Sequence, residues 1–301
     1  MSIAVALREA LSYVRNSAPD CADKDFKLRE TNRMDGGSLR KTVVSKLGGS
    51  VLVDADSYGQ ASRFIVRRLH RRPEERLVVV VSAQKGHTDE LEELARGITN
   101  HPNPRTLDLL WSTGEMRSVA LLTLHLEKHG VAAIGLNAHE TGLRLNGSAH
   151  ADAGIDSLSG ELRNAFHYHS VVVVPGFFGT LTSGTLVSLG RGGSDLSAVL
   201  LARDLEAEQC ELIKDVSGYF TEDPNVNGQA EYLARLSYEQ ALDMADAGCE
   251  LVHPGAIRAA RAAGLHLVVR SLDDAAPVSI VSGDGRATER SPYGEASKKV
   301  R

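Results

Sequence analysis

Residues 77–83 read Leu-Val-Val-Val-Val-Ser-Ala, and this stretch decides the fold class. The run is continuously apolar, without the polar and apolar alternation of a half-exposed strand, so it is typical of a strand covered on both faces. A second run of this kind, Val-Val-Val-Val-Pro, occupies residues 171–175. Stretches with helical spacing separate such runs. The pattern therefore predicts an α/β domain whose layers surround a mainly parallel sheet.

The same alternation extends along most of the chain. Further strands are predicted within residues 42–49, 131–136, 210–216 and 266–272, and helices near residues 57–71, 89–98, 118–128, 194–207, 237–247 and 254–263. We therefore predict one domain over residues 42–282. Residues 1–41 are predicted to form an N-terminal extension, an amphipathic helix followed by a polar linker, and residues 283–301 a polar, disordered tail.

Composition excludes several classes of protein. The 301 residues carry a formal net charge of −5, with 42% hydrophobic and 24% charged residues, which are ordinary globular values. The acidic balance argues against a general binder of nucleic acid or membrane surfaces, because such binders need clustered positive charge. Three separated cysteines exclude a disulfide scaffold and a cysteine zinc site. The sequence has no recognisable targeting or membrane-spanning segment, so we expect a cytoplasmic protein.

The loops that follow the Val-rich runs are the candidate sites, because ligands of parallel α/β sheets bind at the carboxyl ends of the strands. The first loop reads Lys46-Leu47-Gly48-Gly49. Its glycines let backbone N–H groups approach an anion, and Lys46 supplies positive charge for a phosphoryl group. The loop matches neither GxxxxGK[ST] nor GxGxxG, and a simple tight turn is the alternative.

The second and third loops carry small polar and acidic side chains. The second places Ser82 and Thr88 where they can donate to a carboxylate or phosphate, and Asp89 where it can cap a helix. The third contains Glu115 and is predicted at a helix start, where a carboxylate is favourable near the positive end of the helix. An acidic contact for a substrate amine is the functional alternative for Glu115.

The fourth loop carries the strongest signal for binding. Residues 176–179 read Gly-Phe-Phe-Gly, and residues 190–195 read Gly-Arg-Gly-Gly-Ser-Asp at a predicted helix start. Arg191 can grip a carboxylate through two parallel N–H bonds, and the amides of the next two glycines face the point where anions bind. Helix capping alone is the alternative for Asp195.

A fifth loop follows the strand predicted at 210–216. Residues 214–220 read Lys-Asp-Val-Ser-Gly-Tyr-Phe, and the loop continues to Asp223-Pro224. Its acidic, glycine and aromatic residues suit the edge of a nucleotide.

Taken in this order, the loops resemble those of the aspartokinases of the amino acid kinase family. The motifs KFGG, VVSAxxxxTD, STGE, GFxG…GRGGSD, TDVDGxYTxDP and GAKVLHP correspond to residues 46–49, 80–89, 112–115, 176–195, 214–224 and 248–254. The resemblance covers residues 42–282. It implies an αβα sandwich that transfers the γ-phosphoryl group of ATP, with Mg²⁺, to the β-carboxylate of L-aspartate or a close analogue. It also implies a homodimer or larger homo-oligomer.

For the acceptor site, the resemblance implies roles for individual residues. Glu115 would bind the substrate ammonium, and Arg191 with Ser194 its carboxylate. Phe177 would wall the amino-acid pocket. Ser82 and Thr88 would line the region between the acceptor and the γ-phosphate.

For the donor site, the resemblance makes Lys46 the group that stabilises charge between donor and acceptor, with Asp195 orienting it. The remaining expected nucleotide contacts are Gly48, Gly49, Gly192, Gly193, Lys214, Asp215 and Tyr219. Phosphoryl transfer depends mainly on positioning and electrostatic stabilisation, so this assignment is physically sensible.

Two positions depart from the family pattern. Glu250 stands where GAKVLHP has lysine, and Asn225 stands where an arginine commonly follows Asp-Pro. Each change removes positive charge near a polyanion, although Lys214 can restore one charge. Two alternatives therefore stay open: an amino-acid-binding or regulatory subunit without effective ATP chemistry, and a kinase-fold enzyme that uses another donor. The chain after residue 282 has no room for paired ACT domains, so we expect an enzyme without their feedback control, in a specialised pathway.

Overall fold

The computed structural model describes residues 41–146, 154–155, 160–190, 192–224, 226–249 and 251–283. Residues 1–40 of the predicted N-terminal extension (1–41) lie outside the described residues, and its last residue, Lys41, instead begins the first strand of the domain. Except for Gly283, the predicted tail (283–301) also lies outside them, as do Arg191, Asn225 and Glu250.

The strands alternate with helices through the described chain. In chain order the strands are β1 (Lys41–Leu47), β2 (Glu75–Val81), β3 (Ala133–Gly135), β4 (Leu145–Asn146), β5 (Gly154–Ile155), β6 (Val171–Pro175), β7 (Phe178–Thr180), β8 (Leu186–Ser188), β9 (Gln209–Ile213), β10 (Tyr219–Phe220), β11 (Tyr232–Leu233), β12 (Arg235–Ser237), β13 (Leu267–Arg270) and β14 (Ser279–Ser282). The helices are α1 (Ala55–Arg71), α2 (His87–Ile98), α3 (Pro104–Lys128), α4 (Ala138–Thr141), α5 (Gly160–Ala165), α6 (Gly193–Asp204), α7 (Tyr238–Asp246) and α8 (Pro254–Ala263).

An eight-stranded sheet forms the centre, in the order β12-β14-β13-β9-β1-β2-β6-β3. Its pairs are parallel except for β13 with β14, which are antiparallel. The predicted mainly parallel sheet is therefore confirmed. Three antiparallel two-stranded sheets, β4–β5, β7–β8 and β10–β11, lie outside it.

The sheet is covered on both faces. Val78 and Val80 pack into a core with α6 and α8, whereas Leu77 and Val79 pack into a second core with α1 and α3. Each of these four side chains is almost completely buried. Since successive strand residues point to opposite faces, a strand buried on both sides must be continuously apolar. The layers are therefore those of an αβα sandwich.

Helix α3 starts earlier than the predicted helix over 118–128. Asn103 caps it by accepting a hydrogen bond from the Arg105 N–H, and Pro104 occupies the first turn. The Ser-Thr-Gly-Glu motif is therefore in the middle of a 25-residue helix, and the prediction of a helix start there was wrong. Glycine suits position 114 inside this helix because a Cβ there would lie only 3.0 Å from the Cβ of Ala83.

The start of the second helix also differs from the prediction, because a glycine backbone conformation and not a side chain precedes it. Helix α2 begins at His87, directly after Gly86, which has a φ of 80°. No side chain caps this helix start. Asp89 is an exposed residue of its first turn, so the predicted cap was wrong. None of the helices in the described ranges combines the length and apolar character needed to cross a bilayer.

A buried ion network fixes α1 on the sheet. Arg68 donates to Glu75 of β2 at 2.6 Å and to Glu211 of β9 at 2.5 Å. All three side chains are at most 6% exposed. Ser45 of β1 also donates to Glu211. One guanidinium thus joins a helix to strands that are distant in sequence.

Replacing Arg68 with Met should lower the free energy of unfolding by about 3–5 kcal/mol, because two buried carboxylates would lose the Arg68 guanidinium, although Glu75 keeps its pair with Arg72. Urea titration measures the change. The matched control is Arg67→Met, because Arg67 pairs with Asp274 on the exposed side of the same helix. That change should cost no more than about 1 kcal/mol. Equal losses in the two variants would contradict this role for Arg68.

Candidate active site

Three charged side chains meet at the carboxyl edge of the sheet. Lys46 lies near the end of β1, Lys214 directly follows β9, and Asp195 lies in the first turn of α6. The Asp195 Oδ1 is 2.7 Å from the Lys46 Nζ, and its Oδ2 is 3.0 Å from the Lys214 Nζ. We call these residues the Lys–Asp–Lys cluster. Lys214 was predicted at the nucleotide edge; its side chain pairs with Asp195, and its contact with a nucleotide stays a prediction.

The cluster holds two positive charges and one negative charge in a largely buried position, with side chains that are 6–11% exposed. Burial alone would raise the pKa of Asp195, but the two ammonium groups outweigh it and hold this pKa well below its usual range. Burial and repulsion from Lys46 lower the pKa of Lys214, while Asp195 opposes the shift. The surplus positive charge makes the cluster a place where an anion is stabilised.

Glycines bring backbone against this cluster. A Cβ at Gly48 would lie 2.9 Å from the Lys46 Nζ, so the lysine side chain folds back over the loop. A Cβ at Gly49 would come within 3.3 Å of the Ala83 carbonyl oxygen. Gly192 has a φ of 73°, and a Cβ there would overlap the ring of His253. Gly193 is the first residue of α6, and a Cβ there would lie 2.9 Å from the Cδ2 of Phe177.

Sequence reasoning missed His253. Its backbone N–H approaches the Asp195 Oδ2 at 3.4 Å, and its Nδ1 accepts from the Gly255 N–H at 3.2 Å to cap α8. Burial lowers the pKa of this histidine, which favours the neutral ring that capping requires. The signal available in the sequence was a histidine directly before the proline that begins a helix.

Glu115 of α3 is the central residue of the predicted acceptor side. Its Oε1 accepts from the Ala83 N–H at 3.3 Å, but its Oε2 is buried and has no hydrogen-bond partner. The residue is 4% exposed, and burial raises its pKa to about 7, against the opposing effect of the Ala83 N–H. A buried carboxylate oxygen without a partner costs free energy that a cationic ligand would recover.

Phe177 lies across from Glu115's helix in an unusual conformation. Its φ is 68°, which is strained for a residue with a side chain. Its N–H donates to the Ser197 Oγ and its carbonyl oxygen accepts from the Leu189 N–H. Trp111 of α3 lies against it, with ring centroids 6.2 Å apart. Sequence reasoning gave Trp111 no role, although it lies one turn before Glu115.

The remaining predicted acceptor residues lie around these groups. Ser194 is buried in the first turn of α6, against Gly176. Ser82, after β2, and Thr88, in the first turn of α2, are partly exposed. Arg191 falls outside the described residues.

A cleft of about 650 Å³ lies near the Lys–Asp–Lys cluster. One of its lining residues, Asp215, directly follows Lys214 in the sequence. It is lined by Asp215, Val216, Gly218, Phe220, Thr221, Glu222, Asp223, Pro224, Met244, Ala247, Gly248, Cys249 and Leu251. Among these residues three are acidic and none is Lys or Arg. Tyr219 was predicted at this edge, but its side chain is 1% exposed and lies in the hydrophobic core. Alternation along β10 turns Phe220 into the cleft instead.

Comparison with known sequences agrees with this architecture. Residues 41–271 match the amino acid kinase family. The chain belongs to the amino acid kinase family. This membership confirms the family resemblance read from the loops, and the sheet is that of the amino acid kinase fold.

Aspartokinases are among the family members that are similar to this chain. An aspartokinase of Geobacillus stearothermophilus is 36% identical over 230 residues, which are 76% of this chain and 56% of that protein. The chain spans about half the length of the curated relatives it matches.

Solved structures give the same result. The aspartate kinase of Synechocystis is 33% identical with a TM-score of 0.68, and the alignment covers 83% of this chain and 40% of that one. Aspartokinase III of E. coli, in complex with aspartate and ADP, is 25% identical with a TM-score of 0.69 and coverages of 83% and 66%.

Replacing Glu115 with Gln should make the ligand-free protein more stable at pH 8, by about 3 kcal/mol for a carboxyl pKa raised from 4.5 to about 7. The raised pKa means that the natural protein gains stability from the protonated carboxyl at low pH and loses it as pH rises through about 7. The difference between variant and natural protein should therefore shrink as pH falls from 8 to 5. Urea unfolding at each pH measures it.

The control for this series is Glu127→Gln, on the exposed part of the same helix. It should change stability little at any pH. A stability difference for Glu115→Gln that stays constant between pH 5 and 8 would contradict the raised pKa.

Proposed function

We propose that this protein transfers the γ-phosphoryl group of ATP to the side-chain carboxylate of L-aspartate, or of a close analogue, and forms an acyl phosphate. The observation that carries the proposal is the Lys–Asp–Lys cluster, with its buried surplus of positive charge, on the same sheet edge as the partnerless oxygen of Glu115. The first suits a transferring phosphoryl group and the second suits an ammonium group. The similarity to aspartokinases supports both assignments.

On the acceptor side, Glu115 binds the α-ammonium group in its ionised form. The ligand supplies the charge partner that the buried carboxylate lacks, so binding favours loss of its proton. Phe177 walls the pocket, and Ser194 with Arg191 receives the α-carboxylate, as the resemblance implies. Ser82 and Thr88 line the region toward the phosphate.

On the donor side, the acidic cleft takes the nucleoside. Carboxylates repel phosphates but accept hydrogen bonds from sugar hydroxyls and amino groups of a base. The phosphates then extend past Asp215 to Lys214, Lys46 and the glycine backbone. In the described residues no three acidic, histidine or cysteine side chains are grouped to hold a metal. Mg²⁺ would arrive with ATP, as part of that substrate, and would supply positive charge to the phosphates.

The transfer step needs no general base. A side-chain carboxylate with an ordinary pKa of about 3.9 is already ionised near neutral pH. One of its oxygens forms a bond to the γ-phosphorus while the bond from phosphorus to the bridging oxygen breaks, and ADP leaves with that electron pair. The protein contributes position and positive charge, and Asp195 keeps the Lys46 ammonium in place.

We extend the proposal to the regulation, pathway, location and assembly of the enzyme. The enzyme works without feedback through ACT domains, in a specialised pathway, and as a cytoplasmic homodimer or larger homo-oligomer. Initial rates with and without lysine and threonine test the first, since inhibition by either would contradict it. Light scattering measures the oligomeric state.

Replacing Lys46 with Met should lower kcat by about a hundredfold or more, with a smaller effect on the KM for aspartate, because the lost charge acts mainly in the transition state. Asp195 keeps Lys214 as its partner, so the variant should fold. Hydroxylamine trapping of the acyl phosphate measures the rate. Lys41→Met is the matched control, because Lys41 lies on the same strand but is exposed and pairs with Glu208. A kcat for Lys46→Met within a few-fold of the natural value would contradict a role for Lys46 in stabilising the transition state.

Glu250 separates the kinase from the two alternatives left by the sequence. In a working ATP kinase, Mg²⁺ and Lys214 compensate for its charge, and Glu250→Lys should change MgATP affinity only modestly. Calorimetry with both proteins measures this affinity. Undetectable binding of millimolar MgATP to the natural protein, with clear binding to Glu250→Lys, would favour the binding subunit or another donor.

A further inference from the structure

The single tryptophan of the chain has a buried hydrogen-bond donor without a partner. The Trp111 Nε1 is shielded from solvent, and it forms no hydrogen bond in the described structure. A buried N–H of this kind costs free energy comparable to a lost hydrogen bond. Such an atom calls for a ligand or another partner.

The position of this donor connects it with the acceptor site. Trp111 lies four residues before Glu115 on α3, so their side chains occupy the same face of the helix, one turn apart. The Glu115 Oε2 is also buried without a partner. One helical turn thus presents a partnerless donor and a partnerless acceptor. The tryptophan ring also packs against Phe177, which is held in a strained backbone conformation.

We propose that Trp111 is a specificity-determining residue, whose indole N–H donates a hydrogen bond to a carboxylate oxygen of the amino acid whose ammonium group lies on Glu115. This inference rests on the proposed function, because it assigns the orphaned donor to the same acceptor substrate. The contact of the partly buried ring with Phe177 does not require the N–H, because a leucine or phenylalanine would make an apolar contact there without a polar atom.

The chemistry of the ligand follows from the two groups. Glu115 offers an acceptor and selects a cation, whereas the indole offers one neutral donor that is protonated at every working pH. A zwitterionic amino acid carries both complements within a few ångströms. A ligand that lacks the acceptor leaves the N–H unsatisfied, and sites of this kind reject such ligands strongly.

Because the chain has one tryptophan, a ¹⁵N-labelled protein has one indole N–H resonance, which reports on Trp111 alone. Saturation with L-aspartate should move this resonance downfield, as expected for a new hydrogen bond to a carboxylate. Global replacement of tryptophan with benzothienylalanine keeps the ring shape and exchanges the N–H for sulfur. This protein should bind aspartate about tenfold more weakly, the loss expected for a hydrogen bond to a charged group.

Trp111→Phe should show the same loss in the KM for aspartate, with the KM for ATP unchanged. The matched control is Tyr232→Phe, which removes an equally buried hydroxyl from the β10–β11 hairpin and should leave aspartate affinity unchanged. If Trp111→Phe does not fold, the benzothienylalanine protein still tests the donor without a change of shape.

The outcomes separate the inference from the proposed function. Acyl phosphate formation together with an unmoved indole resonance, or with unchanged affinity in the donor-free protein, overturns the role of Trp111 and leaves the kinase standing. Weakened affinity without a moved resonance indicates packing alone and also overturns it. Absence of both aspartate binding and acyl phosphate formation in the natural protein overturns the proposed function, and the inference with it.

Discussion

The carboxylate of Asp195 lies between the ammonium groups of Lys46 and Lys214, and the rest of the site depends on this arrangement. Two buried ammonium groups would repel each other and draw water into the sheet edge if the carboxylate were absent. With it, they stay together at the ends of two neighbouring parallel strands. The first turn of α6 supplies the carboxylate, and this turn can approach only because Gly192 leaves space for His253.

The two halves of the site use burial in opposite ways. In the Lys–Asp–Lys cluster every charge has a partner, and the surplus is one positive charge. On α3, the Oε2 of Glu115 and the indole nitrogen of Trp111 are buried with no partner in the described structure. Charges that are paired with one another provide a rigid electrostatic environment. Buried polar atoms without a partner are stabilised only when a complementary ligand binds. This division suits the proposed phosphoryl transfer, which needs a fixed electrostatic field and discrimination between acceptors.

Helix α3 shows how the fold converts a local motif into a site. Pro104 and Asn103 start the helix three turns before Glu115, which removes the motif from any helix end. Gly114 then allows the helix to pass close to the end of β2, where the Ala83 N–H contacts the carboxylate. The raised pKa of Glu115 follows from this close packing, because burial and not the helix end controls its charge.

The sequence by itself determined the layered fold and the positions of the loops that meet at the sheet edge. Continuous valine runs such as residues 78–81 indicate burial on both faces of the sheet, and this pattern can be recognised in the sequence without knowledge of the fold. The glycine pairs and the order of the loops could also be recognised in the sequence alone. Glu115 was a candidate from its motif alone, although its place in the helix was predicted wrongly.

Only the tertiary structure decided which groups are paired, which are buried and which have no partner. The pairing of Lys214 with Asp195, the burial of Tyr219 in the core and the orphaned N–H of Trp111 arise from segments that are far apart in the chain. Desolvation and ion pairing depend on distances of a few ångströms, summed over neighbours from several elements. Periodicity along one segment contains no information about those distances, and for that reason the fold was predictable while the electrostatics of the site were not.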